Sequence, residues 1–262
     1  MDIVEYNRRA WDGLVQRGYE WTVPVTSEVV QAARRGQWEI VLTPQRAVPR
    51  DWFPPLAGTR TLCLAGSGGQ QAPVLAAAGA IVTVFDNSPR QLAQDRLVAE
   101  RDNLSIQTVQ GDMRDLHVFA DESFRLVVNP CSNCFVPDVR PVWREVFRVL
   151  ATGGTLLAGF INPAAFIFDD EASERGELIV RHPLPYSDDF SLTEQEQKKL
   201  IEAGEPFIFS HSLEDLIAGQ TDVGFVITGL YEDTRPGKPL SKYMPEMIAT
   251  RARKPSNIGV VG

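Results

Sequence analysis

The stretch Thr61 to Gln71, TLCLAGSGGQQ, constrains this chain more than any other. An apolar run, Leu62-Cys63-Leu64-Ala65, enters Gly66-Ser67-Gly68-Gly69 with no polar spacer. A short apolar run ended by glycines suits a strand buried on both faces of a parallel sheet. The alanine-rich APVLAAAGA that follows predicts a helix closing at Gly79. Strand, glycine turn and helix form the first unit of a nucleotide-binding sheet, because glycines admit close backbone approach and helix N-termini offer free N–H groups.

Twenty residues after Gly66 a second apolar run, Ala80 to Phe85, ends at Asp86. A carboxylate at the tip of the second strand can accept hydrogen bonds from both hydroxyls of a ribose. The competing structural role for Asp86 is to cap the helix that begins near Pro89, since Asp-Asn-Ser-Pro is also good helix-start chemistry.

The remaining pattern repeats the unit. Pro89 to Asp102 predicts a charged amphipathic helix, Leu104 to Gln110 a third strand, Phe124 to Asn129 a fourth, Asp138 to Leu150 a helix, and Thr155 to Ile161 a fifth strand after a turn at Gly153-Gly154. Strands alternating with helices imply a parallel sheet covered on both faces. Residues 162–206 break the rhythm, carry one clear helix from Leu192 to Ala203, and read as a lid insertion. A helix from Ser212 to Asp222, a strand from Gly224 to Glu232, the connection Arg235-Pro236-Gly237-Lys238-Pro239 and a last strand from Glu246 to Arg253 predict an antiparallel pair. Ahead of the sheet lies a leader of two helices, Asp2 to Gly18 and Ser27 to Arg35 with Ser27 as N-cap, then an extended connection holding Pro44, Pro49, Pro54 and Pro55. The expectation is α/β: a doubly wound, mostly parallel, seven-stranded Rossmann-like sheet with an antiparallel last strand. It forms one domain over 1–262, with a leader or cap (1–58), the cofactor-binding sheet (59–161 and 207–254) and a lid (162–206).

Charge and cysteine content narrow the partners. Thirty-four acidic against 26 basic residues give a net charge of -8, which disfavours nucleic acid. Three cysteines make no disulfide framework, which fits a reducing compartment. The start, MDIVEYNRRAWDG, has no apolar core of a secretory signal, and no run is long enough to span a bilayer. A cytoplasmic protein without membrane partners is expected; the oligomeric state is not legible.

With these pieces placed, the chain resembles the class I S-adenosylmethionine-dependent methyltransferases, close to the small-molecule "type 11" group. The glycine turn LAGSGG, Asp86 with NSPRQL, the Gly-Asp-Met after strand three, FRLVVNPCSNCFVPD and VWREVFRVLATGGTLLAGF carry the resemblance in order. It covers about Arg60 to Arg253, the lid excepted. The chain departs from the family in having Leu64 where an acidic residue usually stands, and Gln70 where a third glycine does; Asn129, Gln70 and Gln71 are the candidates to replace the lost carboxylate at the methionine end. The resemblance implies S-adenosylmethionine as cofactor and a small-molecule methyl acceptor. It implies that backbone at Ala65, Gly66, Ser67 and Gly68 passes close to methionine and ribose. Asp86 takes the ribose hydroxyls, with Asn87 and Gln91 beside the adenine. Asp112 accepts the adenine amino group and the Met113 backbone meets the ring edge, while Asn129 and Cys131 line the methionine end.

Rival readings share parts of this pattern. A nicotinamide-dependent oxidoreductase requires glycine at position 71, where Gln71 stands. A non-catalytic nucleoside- or protein-binding member of the fold is the other alternative. Cys131-x-x-Cys134 lacks the further ligands of a structural zinc site, so no metal is expected. His211, between Ser210 and Ser212, is the one candidate general base, against a simple helix-capping role; His182 and His117 have weaker claims. Tyr6, Trp11 and Trp21 of the leader are positioned either to close over the cofactor or to pack in the core.

Overall fold

Strands β1 (Arg60–Leu64), β2 (Ile81–Asp86), β3 (Ile106–Gln110), β4 (Phe124–Asn129), β5 (Leu150–Ile161), β6 (Val226–Asp233) and β7 (Met247–Arg253) hydrogen-bond into one sheet in the order β3-β2-β1-β4-β5-β7-β6. The computed structural model that gives this architecture describes residues 2–235 and 237–256. Met1, Pro236 of the expected Pro/Gly connection and residues 257–262 of the expected domain lie outside the described residues. β1 to β5 run parallel, and β7 is antiparallel to both β5 and β6. The order reverses between β1 and β4, so a crevice opens at the carboxyl ends of those two strands, the usual place for a ligand in such sheets.

The alternation along β1 and β4 explains why both faces are covered. Leu62, Leu64 and Val127 point to one face and pack with Val142, Trp143, Val146 and Val149 of the helix Arg140–Val149. Cys63, Leu126 and Val128 point to the other face, where they meet Val74 and Leu75 of the helix Gln71–Ala77. The leader contributes to this second face through Ile40, Leu42, Val48, Trp52 and Leu56. Its connection is therefore a covering layer of the core, and prolines keep it extended enough to cross β4, β5 and β7.

Most elements begin and end within a few residues of the sequence expectation, and the exceptions have local causes. Thr26, rather than Ser27, occupies the N-cap position of the helix Ser27–Arg34. Gly153-Gly154 does not precede β5 but lies inside it as an irregularity of the β4–β5 register. Gly153 takes φ +73°. The Lys254 backbone closes that bulge, accepting from Gly153 N (2.8 Å) and donating to the Gly154 carbonyl (3.0 Å). The helix expected from Ser212 is a π-turn over Glu214–Ala218 that continues into the short helix Gly219–Asp222.

Residues 162–206 hold the expected helix as Glu194–Ala203, with a Thr193/Glu196 capping box, together with two shorter helices, Asp170–Glu174 and Asp188–Ser191. The stretch just after this segment rests on the first leader helix, Ile3–Arg17. Tyr6 Oη donates to the Glu205 carbonyl (2.9 Å), and the Asn7 side chain donates to the Phe207 carbonyl (3.0 Å) while accepting from Phe207 N (2.8 Å). No helix among the described residues is long and apolar enough to cross a membrane.

Candidate active site

The crevice at the strand ends is a cavity of about 530 Å³, within the size range of small-molecule sites. Eight of the eleven expected cofactor residues line it: Ala65, Ser67, Asp86, Asn87, Gln91, Asp112, Met113 and Cys131. Gly66, Gly68 and Asn129 are not among its walls.

The floor is the turn after β1. Ala65 (φ 47°) and Ser67 (φ 64°) adopt the left-handed region without being glycine, a conformation that costs free energy unless the surroundings impose it. The surroundings here are hydrogen bonds to the turn. Gly68 N donates to Gln91 Oε1 (2.9 Å) and Gly69 N to Asp95 Oδ1 (2.9 Å), which pin the turn to the helix Pro89–Asp102. A Cβ at Gly68 would collide with the Gln91 carbonyl, so the glycine serves the helix contact. Burial pushes Asp95 up to about 8, against the Gly69 N–H that favours its charged form.

Asp86 sits where β2 ends. One carboxylate oxygen, Oδ1, accepts from Ser88 N (2.8 Å). Helix capping falls to Ser88 itself, whose Oγ accepts from Gln91 N (3.1 Å) and donates to Asp12 Oδ1 of the leader (2.7 Å). Burial pushes Asp86 up to about 7, the Ser88 N–H opposes this and the nearby Asp12 charge adds to it. Asp112 lines the cavity while its carboxylate holds Arg114 through both oxygens (2.6 Å at the shortest). Asn87 Nδ2 donates to the Val4 carbonyl (3.0 Å), joining the leader to the same wall.

The three candidates to replace the lost carboxylate differ in their bonds, although Gln71 Oε1 and Asn129 Oδ1 alike have no partner among the described residues. Gln70 Nε2 donates to the Glu20 and Val23 carbonyls (2.8 and 3.0 Å) and so fastens the leader to the glycine turn. Asn129, fully buried, ties β4 to β1 through Leu64 O (2.9 Å) and to Ser132 Oγ (3.0 Å). Leu64 itself belongs to the core. Gln71 lines the cavity, is only 6 % exposed, and its Oε1 has no hydrogen-bond partner among the described residues. A buried amide oxygen without a partner costs roughly 1–3 kcal/mol, and a donor from a ligand removes that cost.

The roof comes from the leader, where Trp11 and Trp21 line the cavity as the sequence allowed and Tyr6 does not, and from two segments that sequence reasoning did not assign to the site, the leader's connection and the β6–β7 connection. Trp11, Tyr19 and Trp21 of the leader, and Val41 to Gln45 of its connection, face the strand ends. Trp11 packs edge-on against Phe135 at 5.0 Å. Asp233, at the end of β6, holds that connection: its Oδ2 accepts from Thr43 Oγ1 (2.7 Å), Gln45 N (2.9 Å) and Arg46 N (2.9 Å). Burial acts to raise Asp233, yet these bonds leave it below the usual carboxylate range. Arg235, Lys238 and Met247 complete the far end, whereas residues 162–206 contribute nothing to the lining.

His211 lies outside the cavity walls. Its Nε2 is 3.0 Å from the Asn133 carbonyl and burial holds its pKa below the ordinary histidine value, so it braces the turn after β4. Cys131 and Cys134 both line the cavity as free thiols in hydrogen-bond contact, which together with burial pushes Cys134 well up; Cys63 is buried in the core. Among the described residues no cluster of three or more histidine, cysteine or acidic side chains could hold a metal ion.

Residues 62–158 match the family model described as a methyltransferase domain. Over 252 residues the chain is 53 % identical to the uncharacterized methyltransferase YbaJ of Bacillus subtilis, covering 96 % of this chain and 98 % of that protein. The chain belongs to the class I S-adenosylmethionine-dependent methyltransferases, in the type 11 group. Solved structures share the fold at low identity. An S-adenosylmethionine-dependent methyltransferase from Mesorhizobium loti superposes with TM-score 0.60 at 18 % identity, over 78 % of this chain and 94 % of that one. A geranyl diphosphate methyltransferase in complex with SAM gives 0.53 at 15 %, over 78 % and 82 %. The methyltransferase thus uses S-adenosylmethionine, and the nicotinamide and non-catalytic readings fall away.

Proposed function

We propose that this methyltransferase holds its donor along the β3-β2-β1-β4 end of the cavity and transfers the methyl group to a small-molecule acceptor admitted at the β5-β7 end. The observation that carries the reading is that Gln71, whose buried Oε1 has no partner among the described residues, lines the same cavity as Asp86. Asp86 Oδ2 is left to accept from ribose hydroxyls while Oδ1 is held by Ser88. Gln71 Oε1 would accept from the methionine amino group, standing in for the carboxylate that Leu64 lacks. Asn87, Asp112 and the Met113 backbone would frame the adenine. The bound donor supplies a methyl group on a sulfonium, already activated for displacement. What remains for the protein is to align the acceptor and exclude water, and Trp11, Tyr19, Trp21 and Phe135 form the apolar wall that does so. Leader residues 1–58 act as this wall, and 162–206 as its outer support.

A small acceptor suits a roof closed by aromatic side chains and a molecule of net charge -8, and the free thiols suit a reducing, cytoplasmic setting. Calorimetric titration with S-adenosylhomocysteine (SAH) tests the site: micromolar or tighter binding is expected, and saturable binding that survives replacement of Asp86 and Gln71 rejects the assignment. Methylation of RNA or DNA with high affinity at moderate salt rejects the small acceptor. Gln71→Leu separates the ligand role from packing. It removes a buried unsatisfied oxygen, so the melting temperature of the ligand-free protein is expected to hold or rise, while SAH affinity drops about tenfold, the worth of one hydrogen bond to a charged group.

A further inference from the structure

Opposite Asp86, the cavity ends against the β6–β7 connection. The register places this connection above the carboxyl end of β5: Ile161 pairs with Met247, and Met247 with Asp233. From β2, which carries Asp86, three strands (β1, β4 and β5) intervene before β7, so this end lies beyond the strand tips that frame the cofactor site. Among the described residues, Arg235 and Lys238 are the only cations on the cavity walls.

The backbone carrying them is fixed. Arg235 N donates to Ser241 Oγ (3.1 Å), Lys238 N donates to the Arg235 carbonyl (3.1 Å), and Ser241 Oγ lies 2.6 Å from Glu246 Oε1. Their side chains, by contrast, form no hydrogen bond or ion pair among the described residues. Arg114 and Arg8, which are off the cavity walls, are engaged, the first by Asp112 and the second by Glu5 and Asp12. The carboxylates on the cavity walls do not supply partners either. Asp112 is paired with Arg114 and Asp86 is capped by Ser88, while Glu20 is exposed at the opening.

We propose that Arg235 and Lys238 bind an anionic group, a carboxylate or a phosphate, on the methyl acceptor, whose apolar body lies against Ile161, Met247 and Tyr19. Asp170, off the cavity walls, feels the Lys238 charge, which opposes the burial that raises its carboxyl, but neither cation is in a direct ion pair among the described residues. Two half-buried cations held this way recover lost hydration from an anion, and a planar guanidinium can grip a carboxylate or phosphate through two parallel bonds. The same pair would orient the acceptor, fixing one end so that the other reaches the sulfur side near Cys131. The inference rests on the cofactor reading above.

The test uses wild-type protein saturated with SAH, titrated with matched pairs: benzoate and benzamide, phenylacetate and phenylacetamide, and phenyl phosphate against phenol. Anionic members are expected to bind at least tenfold more tightly than their neutral partners. In R235Q/K238Q the preference falls to within twofold with SAH affinity unchanged, while R235K/K238R keeps it. Equal binding within every pair, or a preference that survives in R235Q/K238Q, overturns the proposal. So does an R235Q/K238Q protein that binds SAH weakly but methylthioadenosine normally, since the cations then hold the cofactor's own carboxylate. Failure of wild-type protein to bind SAH is a different result, and it rejects the cofactor reading itself.

Discussion

Asp86→Ala is expected to weaken S-adenosylhomocysteine binding about 100-fold while leaving the fold intact. Two hydrogen bonds from ribose hydroxyls to an ionised carboxylate are worth roughly 1.5–3 kcal/mol each, and a loss of about 3 kcal/mol is about two decades in Kd. The fold tolerates the change because Asp86 closes no ion pair. The one bond its carboxylate makes among the described residues is to Ser88 N, and Ser88 remains anchored by Asp12. Burial has already pushed the carboxyl from 3.8 up to about 7. The sign of its contribution to stability follows: it is fully present below pH 3.8, where both folded and unfolded chains carry the proton, and is lost as pH rises through about 7.

Ligand binding runs the other way. Accepting two hydroxyl protons requires the charged carboxylate, so binding releases a proton at pH 6, and affinity is expected to climb with pH and level off above about 7. Asp95 titrates nearby, so the wild-type slope alone is ambiguous. Asp86→Asn isolates the term: calorimetry at pH 5.5, 6.5 and 7.5 is expected to show the climb in wild type and a flatter profile in the variant. Identical profiles in the two proteins remove Asp86 from the site.

Leu62 to Ala65 and Asp86 were legible in the sequence because their signals are local: an unbroken apolar run, a glycine turn, and an acid where the second strand must end. Gly153-Gly154 misled because a glycine pair reads as a turn when seen alone, whereas the Lys254 backbone, a hundred residues on, completes it as a bulge within β5. Asn129 was placed correctly at the end of β4, yet its amide turns to the Leu64 carbonyl, a choice set by the neighbouring strand. The roof was the least legible part. Val41 to Gln45 reach the site only because Asp233 gathers them, and Arg235 and Lys238 only because β7 pairs antiparallel with β5. An extended, proline-bearing connection carries no periodicity from which such a docking could be read. Residues 162–206 read as a lid because they break the strand–helix rhythm, but none of them lines the cavity, and the chain that leaves them rests on the leader helix.

Gly159→Ala tests whether that leader wall is part of the site or only rests on it. Gly159 lies in the middle of β5, paired with Ala249 of β7, and a Cβ there would run into the Leu42 carbonyl oxygen and approach its carbon to 2.8 Å. Neither atom can rotate away, because both are backbone. The Leu42 carbonyl also accepts from Cys131 N (3.2 Å), so the strain passes to the turn after β4 as well as to Val41 to Gln45. Overpacking of this kind costs about 1–3 kcal/mol, and in a chain of this size each kcal/mol lowers the melting temperature by roughly 2–4 °C. A fall of about 3–10 °C is therefore expected, together with weaker SAH binding as the roof lifts. Gly66→Ala is the contrasting case. Its Cβ would meet only Cys63 Cβ at 3.6 Å and Pro130 Cδ at 4.0 Å, ordinary contacts. Its melting temperature is expected to stay within about 1 °C of wild type, because no neighbour has to move, and since Gly66 is not on the cavity wall SAH affinity is expected to stay close to wild type. If Gly159→Ala lowers the melting temperature and leaves SAH affinity untouched, the connection is a core layer alone and the donor is held by the sheet edge without it.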